Sequence, residues 1–165
     1  MRIVISDVSV FFDMYYLKVL PEFFALDMEI HTTDFVYNEI INSKQKNEFD
    51  LYERSKKLHI IKITPDEEDE IRSIQLLRFN KSFPDRTILW KAKQFKCALL
   101  TCDSKLRKEA ESLGLEVHGS IWVVNQLIDT RIIPEMKGIE LFNQLKLVNP
   151  RLPMLEIDRL IKRLK

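Results

Sequence analysis

Short apolar segments alternate with amphipathic segments along most of the chain. Each apolar segment is rich in Val, Ile or Leu, a composition typical of strands that are buried on both faces. Five strands are predicted, over 3–6, 28–32, 58–63, 97–101 and 115–118. Strands that alternate with helices through short connections indicate an α/β fold: a mostly parallel, twisted sheet of four to five strands flanked by helices, an α/β/α sandwich.

The segments between the strands have the spacing of helices, and local signals mark several helix ends. Thr64 to Glu67 is a capping box with proline at the first helical position. Thr33 and Ser120 are candidate N-caps, and Gly114 is expected to end the helix before it. Helices are predicted over 9–19, 34–43, 44–56, 65 to about 79, 86–95, 104–112, 120–129, 134–148 and 153–164, with a short turn over 21–26.

Length and composition indicate one globular domain. The chain has 165 residues, 45% of them hydrophobic and 31% charged, which is ordinary for a domain with a proper core. We expect 1–165 to form a single unit, with 134–165 as a helical extension packed on or beside it. No apolar run reaches the length of a membrane span, and an acid at position 7 comes too early for a signal peptide. We therefore expect a cytoplasmic protein that does not contact a membrane.

Charge, glycine and cysteine content exclude some function classes. The net charge of +1 predicts no partner by itself, so nucleic-acid binding would need a local basic patch. With only three glycines, the chain lacks a Walker loop and a dinucleotide fingerprint. The two cysteines, Cys97 and Cys102, flank one predicted strand and point to opposite faces, so we expect them to be reduced.

Four acidic residues fall where an α/β sheet would gather them. Asp7 and Asp103 follow apolar strands, whereas Glu39 and Asp85 lie in or near the first turns of predicted helices. Ligands of open α/β sheets bind beyond the carboxyl ends of the strands. Converging carboxylates repel one another unless a divalent cation neutralises them. The pattern predicts a Mg²⁺ or Mn²⁺ site suited to cutting a phosphodiester.

Each acid also has a simpler interpretation. Asp7 and Asp103 could cap the helices that follow them, and Ser82 to Asp85 is itself a capping box. Glu39 could be a solvated surface residue. The hypothesis of a metal site therefore depends on all four acids lying at the same end of one sheet.

The order of these motifs resembles the PIN-domain family, in particular the VapC-type toxins of prokaryotic toxin–antitoxin pairs. The resemblance extends from the start of the chain to about residue 134. It is carried by five short segments: Ile5-Ser6-Asp7-Val8-Ser9, Ile30 to Ile40 with Glu39, Ser82-Phe83-Pro84-Asp85, Leu99-Leu100-Thr101-Cys102-Asp103 and Gly114 to Ser120.

The resemblance implies a metal-dependent ribonuclease. It assigns Asp7, Glu39, Asp85 and Asp103 to catalysis and to Mg²⁺ or Mn²⁺ binding. Asp7 would lie at the centre of the site, and Glu39 would be a ligand or a general base. Ser9 and Thr101 would be the supporting hydroxyls. It further implies an RNA substrate, an antitoxin protein as partner and a homodimer. Basic side chains near the acids are candidate RNA contacts: Arg86, Lys105 and Arg107.

Two further patterns have alternative interpretations. The C-terminal basic residues Arg151, Arg159, Lys162, Arg163 and Lys165 could bind RNA. We favour a solvated face of an amphipathic helix, with Leu155, Leu160 and Leu164 packed inward. The aromatic run Phe11, Phe12, Tyr15, Tyr16, Phe23 and Phe24 could be an oligomer or antitoxin surface, although a core helix explains several of its members.

Other functions remain as alternatives. A catalytically inactive PIN-like scaffold that binds RNA or a protein would need no acidic quartet. A haloacid-dehalogenase-like phosphatase would have an aspartate two residues after Asp7, where this chain has Ser9. A phosphotransfer receiver would have paired acids after its first strand. A flap-type DNA nuclease would need more acids and a longer chain.

Overall fold

A parallel β-sheet forms the centre of the molecule. The computed structural model describes residues 2–74 and 82–165. Its five strands pair in the order β3-β2-β1-β4-β5, and every pairing is parallel. This confirms the predicted α/β class. The strands are β1 Arg2–Ser6, β2 Met28–Thr33, β3 Leu58–Ile61, β4 Ala98–Leu100 and β5 Val117–His118.

Helices cover both faces of the sheet. Successive residues of a strand point to opposite faces, so each face carries apolar side chains that the helices bury. Val4 faces the larger core together with α1, α2, α8, α9 and α10. Ile5 faces the smaller core together with α3, α6 and α7. The helices are α1 Val8–Tyr16, α2 Leu20–Phe23, α3 Asp34–Tyr37, α4 Ser43–Arg54, α5 Pro65–Ser73, α6 Phe83–Phe95, α7 Ser104–Ser112, α8 Ser120–Asp129, α9 Glu135–Val148 and α10 Met154–Arg163.

The last two helices share the larger core. Phe142 of α9 and Ile157 of α10 are fully buried there. The inward stripe of α10 differs from the prediction at one position, because Leu155 is 74% exposed. Ile157 and Ile161 supply the buried contacts instead, since Leu155 falls on the opposite side of the helical period.

The predicted helix over 34–43 is wrong in its length. Thr33 caps α3 as expected, its hydroxyl accepting a bond from the Val36 N–H, but α3 ends at Tyr37. A new helix begins because the Asn42 side chain accepts bonds from the next N–H groups. Glu39 therefore lies in the turn between two helices.

Other helix predictions also differ from the structure. The first helix, predicted over 9–19, ends at Tyr16. Ser120 does not cap α8; Gly119 takes that position, and the Ser120 hydroxyl donates to Asp13. The capping box at Thr64 is present, but α5 ends at Ser73. The remainder of the helix predicted to reach residue 79 lies outside the described residues.

The aromatic run is mainly core. Phe11, Phe23 and Phe24 are buried, and Phe12 and Tyr15 are half-buried. Within the run, all of which the structure describes, Tyr16 alone is exposed. The described residues include no helix that is both long and apolar enough to cross a membrane. Both cysteines are free thiols.

Candidate active site

The four acids line one cleft at the carboxyl edge of the sheet, with a volume of about 560 Å³. Asp7 follows β1, and Asp103 follows β4 by way of Thr101 and Cys102. Asp85 lies in the first turn of α6, and Glu39 lies in the turn after α3. Four separate segments of the chain thus bring carboxylates to the same cleft.

The Asp7 carboxylate is fixed by three donors. Its Oδ1 accepts from the Val8 N–H at 2.7 Å, so Asp7 does cap α1. Its Oδ2 accepts from the Ser9 hydroxyl at 2.7 Å and from the Thr101 hydroxyl at 3.0 Å. Asp7 is 5% exposed, and these bonds hold one orientation of a nearly buried acid.

The two hydroxyls also hold the neighbouring loop. The Ser9 Oγ accepts from the Cys102 N–H at 3.0 Å, and the Thr101 Oγ1 accepts from the Asp103 N–H at 3.1 Å. Asp103 in turn caps α7, because its Oδ1 accepts from the Leu106 N–H at 2.6 Å. Asp7 and Asp103 therefore each cap a helix and also line the cleft.

Burial and neighbouring carboxylates raise the pKa values of two acids of the cleft, Asp7 and Glu39. Burial raises the pKa of Asp7 against the lowering effect of the Ser9 and Thr101 bonds, and the Asp85 charge raises it further. Loss of solvent, followed by the charges of Asp7 and Asp85, raises the pKa of Glu39 to about 7. A divalent cation among these groups would favour their ionised forms, and carboxylate oxygens are the ligands that Mg²⁺ and Mn²⁺ prefer. The donor set therefore fits such an ion.

The cleft is more open than a tight metal cluster. Within residues 2–74 and 82–165, no three of these acids bring ligand oxygens within 4.8 Å of one another. Mg²⁺ retains several water ligands in proteins, so it does not need three directly bound carboxylates.

The three predicted RNA contacts have different surroundings. Lys105 lines the acidic cleft. Arg107 donates to the carbonyl oxygens of Val117 and Thr101, which ties the ends of β4 and β5 together. Arg86 lines a different, apolar pocket with Leu89 and Trp90. Of these three cations, the structure thus places only Lys105 in the cleft.

Arg151 and Asn149 also line the acidic cleft. They lie between α9 and α10, far from the acids in sequence. From the sequence, Arg151 is one of the basic C-terminal residues, and Asn149 has no predicted role. No local pattern could have found them, because their position depends on how the last helices fold back.

A buried aspartate that the sequence analysis missed connects this segment to the site. Asp13 of α1 is 4% exposed. It accepts bonds from the Ser120 hydroxyl at 2.6 Å and from the Asn149 side-chain amide at 2.9 Å. The Cys102 thiol lies 3.4 Å from the same carboxylate oxygen. One detectable signal was a charged residue within the apolar segment Phe11 to Met14 of α1.

Comparison with known proteins gives one family. A family model described as PIN domain matches residues 3–165, and no curated protein matches the chain. PIN domains are generally nucleases that use divalent metals. The match covers nearly the whole sequence, including the strand ends that carry Asp7 and Asp103. By this match, together with the parallel sheet and the four-acid cleft, the chain belongs to the PIN domain family.

Proposed function

We propose that the protein is a metal-dependent endoribonuclease that hydrolyses RNA phosphodiester bonds with Mg²⁺ or Mn²⁺. The observation that carries the proposal is the convergence of Asp7, Glu39, Asp85 and Asp103 on one cleft. Family membership supports nuclease chemistry in general. The choice of RNA follows from the resemblance of the motifs to VapC-type toxins.

Asp7, Asp85 and Asp103 would hold the cation, with Glu39 as a further ligand or as the general base. When bound, the ion would stabilise negative charge on the attacked phosphate and make water a stronger nucleophile. Hydrolysis joins a water oxygen to phosphorus and breaks one P–O ester bond. Glu39 lines the same cleft and would accept the proton released by that water, while the departing oxygen would take up a proton from solvent.

The remaining polar residues position these groups and the substrate. Ser9 and Thr101 orient the Asp7 carboxylate through their hydroxyl bonds, as the partners of metal-binding carboxylates commonly do. Lys105 and Arg151 line the cleft and supply positive charge for the RNA backbone, which dominates nucleic-acid affinity.

The biological role that we propose is that of the toxin in a type II toxin–antitoxin pair, active as a homodimer and neutralised by a small antitoxin. Support for this role comes from the resemblance to VapC-type toxins. Production of the wild-type protein should then arrest bacterial growth, whereas Asp7→Asn should not. Growth arrest by both proteins would contradict a toxic activity located in this cleft.

The decisive experiment is cleavage of a mixed single-stranded RNA pool by the purified protein with Mn²⁺ or Mg²⁺. EDTA should abolish cleavage, and so should Asp7→Asn. The matched control is Asp66→Asn, which removes the same charge at an exposed position in the first turn of α5. This variant should cut RNA at the wild-type rate.

Other outcomes would point to other functions. Unchanged cleavage by Asp7→Asn would reject the site. RNA binding without cleavage in any metal, together with no Mn²⁺ binding by calorimetry, would instead favour the inactive scaffold.

A further inference from the structure

The sheet carries a second group of metal-binding side chains, away from the acidic cleft. β2 and β3 run parallel, with His31 directly opposite His59. Glu29 lies two residues before His31 and therefore projects from the same face of the sheet. The potential ligand atoms of these three residues all lie within 4.8 Å of one another.

The contacts within this group leave His31 incompletely satisfied. Its Nε2 lies 2.7 Å from Oε1 of Glu29, and its ring stacks on His59 with centroids 4.7 Å apart. Its Nδ1 is buried and has no hydrogen-bond partner among the described residues. Because Glu29 contacts only Nε2, neither tautomer of His31 satisfies both ring nitrogens.

The His31 ring is also enclosed by its neighbours. Its side chain is 12% exposed, and Phe95 of α6 packs edge-on against the ring.

We propose that Glu29, His31 and His59 form a binding site for a divalent transition-metal ion of the zinc type. Two imidazoles and one carboxylate, with solvent in the fourth position, are a common ligand set for Zn²⁺. Imidazole nitrogen suits Zn²⁺, Ni²⁺ and Co²⁺, whereas sites built from carboxylates suit Mg²⁺ and Mn²⁺. Donor chemistry therefore separates this site from the acidic cleft.

The present geometry requires only side-chain movement. Tetrahedral ligands of Zn²⁺ lie roughly 3.4 Å apart, given metal–ligand bonds of about 2.1 Å. The contact of 2.7 Å between His31 and Glu29 would widen, and the stacked rings would turn so that their lone pairs converge. The strand register already fixes the backbone that carries both histidines.

The position of the site indicates what the ion would do. β3 is an edge strand of the sheet, so the ion would link that edge to β2. Asp85 and Phe95 lie ten residues apart on α6, about 15 Å at 1.5 Å per residue. The ion would therefore stabilise the edge of the sheet without entering the acidic cleft.

The third histidine of the chain provides a matched control. His118 lies on β5, Glu116 lies two residues before it, and the Nε2–Oε1 distance is again 2.7 Å. The His118 ring, however, stacks on Trp122 instead of on a second histidine. This pair therefore shares the local motif and lacks the second imidazole.

The test is calorimetric titration of ZnCl2 into metal-stripped full-length protein, together with the visible absorption of bound Co²⁺ and the Tm with and without zinc. We expect one tightly bound Zn²⁺ per chain at this group, in addition to weaker binding at the carboxylates of the acidic cleft, a tetrahedral Co²⁺ spectrum and a Tm that rises with zinc. His59→Ala and Glu29→Gln should weaken binding about tenfold or more and remove the Tm shift. His118→Ala and Asp7→Asn should retain the tight zinc binding and the Tm shift.

The proposal is overturned if the wild-type protein shows no saturable zinc binding or if His59→Ala binds zinc as tightly as the wild type. It is also overturned if Asp7→Asn or His118→Ala removes the binding. Circular dichroism of each variant before titration separates loss of the site from loss of the fold. These readouts do not depend on nuclease activity.

Discussion

The carboxylate of Asp7 is oriented by two hydroxyls from different segments of the chain, Ser9 in α1 and Thr101 directly after β4. Ser9 and Thr101 bond the same oxygen of Asp7, and each also accepts a backbone N–H from the loop after β4. A change in either hydroxyl should therefore affect two acids of the cleft, Asp7 and Asp103.

Ser9→Ala tests this arrangement. Without the Ser9 hydroxyl, Asp7 loses a donor to its ionised form, and the Cys102 N–H loses its acceptor. We expect Mn²⁺ affinity and RNA cleavage to fall about 10- to 100-fold, the usual cost of removing a group that supports a metal ligand. Ser112→Ala, at the far end of α7, is the matched control and should behave as the wild type. Equal activity of the two variants would show that Thr101 alone suffices.

Glu39 should make the stability of the metal-free protein depend on pH. Its pKa is about 7 in the folded protein against an ordinary value of 4.5. Between these values the folded state binds the extra proton, so the free energy of unfolding should decrease as pH rises from about 4.5 to about 7. Glu39 is an exposed residue, so screening by solvent reduces the effect.

Urea unfolding in EDTA across this pH range measures how steeply the free energy of unfolding depends on pH. The Glu39→Gln substitution should make this dependence shallower. A variant whose stability changes with pH as steeply as that of the wild type would show that Glu39 does not carry the effect. Saturating Mn²⁺ should oppose the decrease in the wild-type protein, because a cation favours the ionised carboxylate.

The packing of α8 against α9 depends on a glycine. A Cβ at Gly138 would lie 2.3 Å from Cδ1 and 2.6 Å from Cγ1 of Ile128. Gly138→Ala should overpack this contact at a cost of about 1–3 kcal/mol, offset by about 1 kcal/mol of helix propensity. We expect a net loss of up to about 2 kcal/mol in the free energy of unfolding.

A double-mutant cycle separates the two contributions. Ile128→Ala removes the atoms that clash, so Gly138→Ala in that background should be neutral or stabilising. Urea unfolding of the wild type, the two single variants and the double variant gives the coupling free energy between the two positions. Purely additive effects would show that the loss does not arise from contact with Ile128.

The strand and helix ends follow from short-range signals. Thr64, Asn42 and Asp103 each satisfy a helix N-terminus within three residues of themselves, so several starts can be predicted from sequence. The end of α3 at Tyr37 was missed. The cap that begins the next helix, Asn42, lies inside the segment that was predicted to be continuous helix.

At the scale of the whole molecule, the C-terminal helices fold back onto the domain and bring Arg151 to the acidic cleft. Asp13 holds the segment between α9 and α10 in place, because its carboxylate accepts a hydrogen bond from the side-chain amide of Asn149. The last helices thus supply both core packing and a positive charge near the site.

Arg151→Ala should weaken RNA binding without altering the acids. Loss of one phosphate contact should make the dependence of log Kd on log salt shallower by about 0.7, the contribution of one charge on a single strand. Fluorescence anisotropy with the Asp7→Asn protein as background prevents cleavage during the measurement. Arg159→Ala, on α10 and outside the cleft-lining set, should leave the slope unchanged. A slope that changes equally in both variants would assign the effect to net charge alone.

The sequence by itself determined the alternation of strands and helices, most helix starts and the placement of Asp7 and Asp103 after strands. These features depend on hydrogen bonds and periodicity within a few residues. Only the tertiary structure decided that Glu39 lies in a turn, that Arg86 and Arg107 point elsewhere, that Arg151 reaches the cleft and that His31 pairs with His59. Each of these depends on the register between strands or on packing between distant segments, where the free energy comes from contacts that no local pattern encodes.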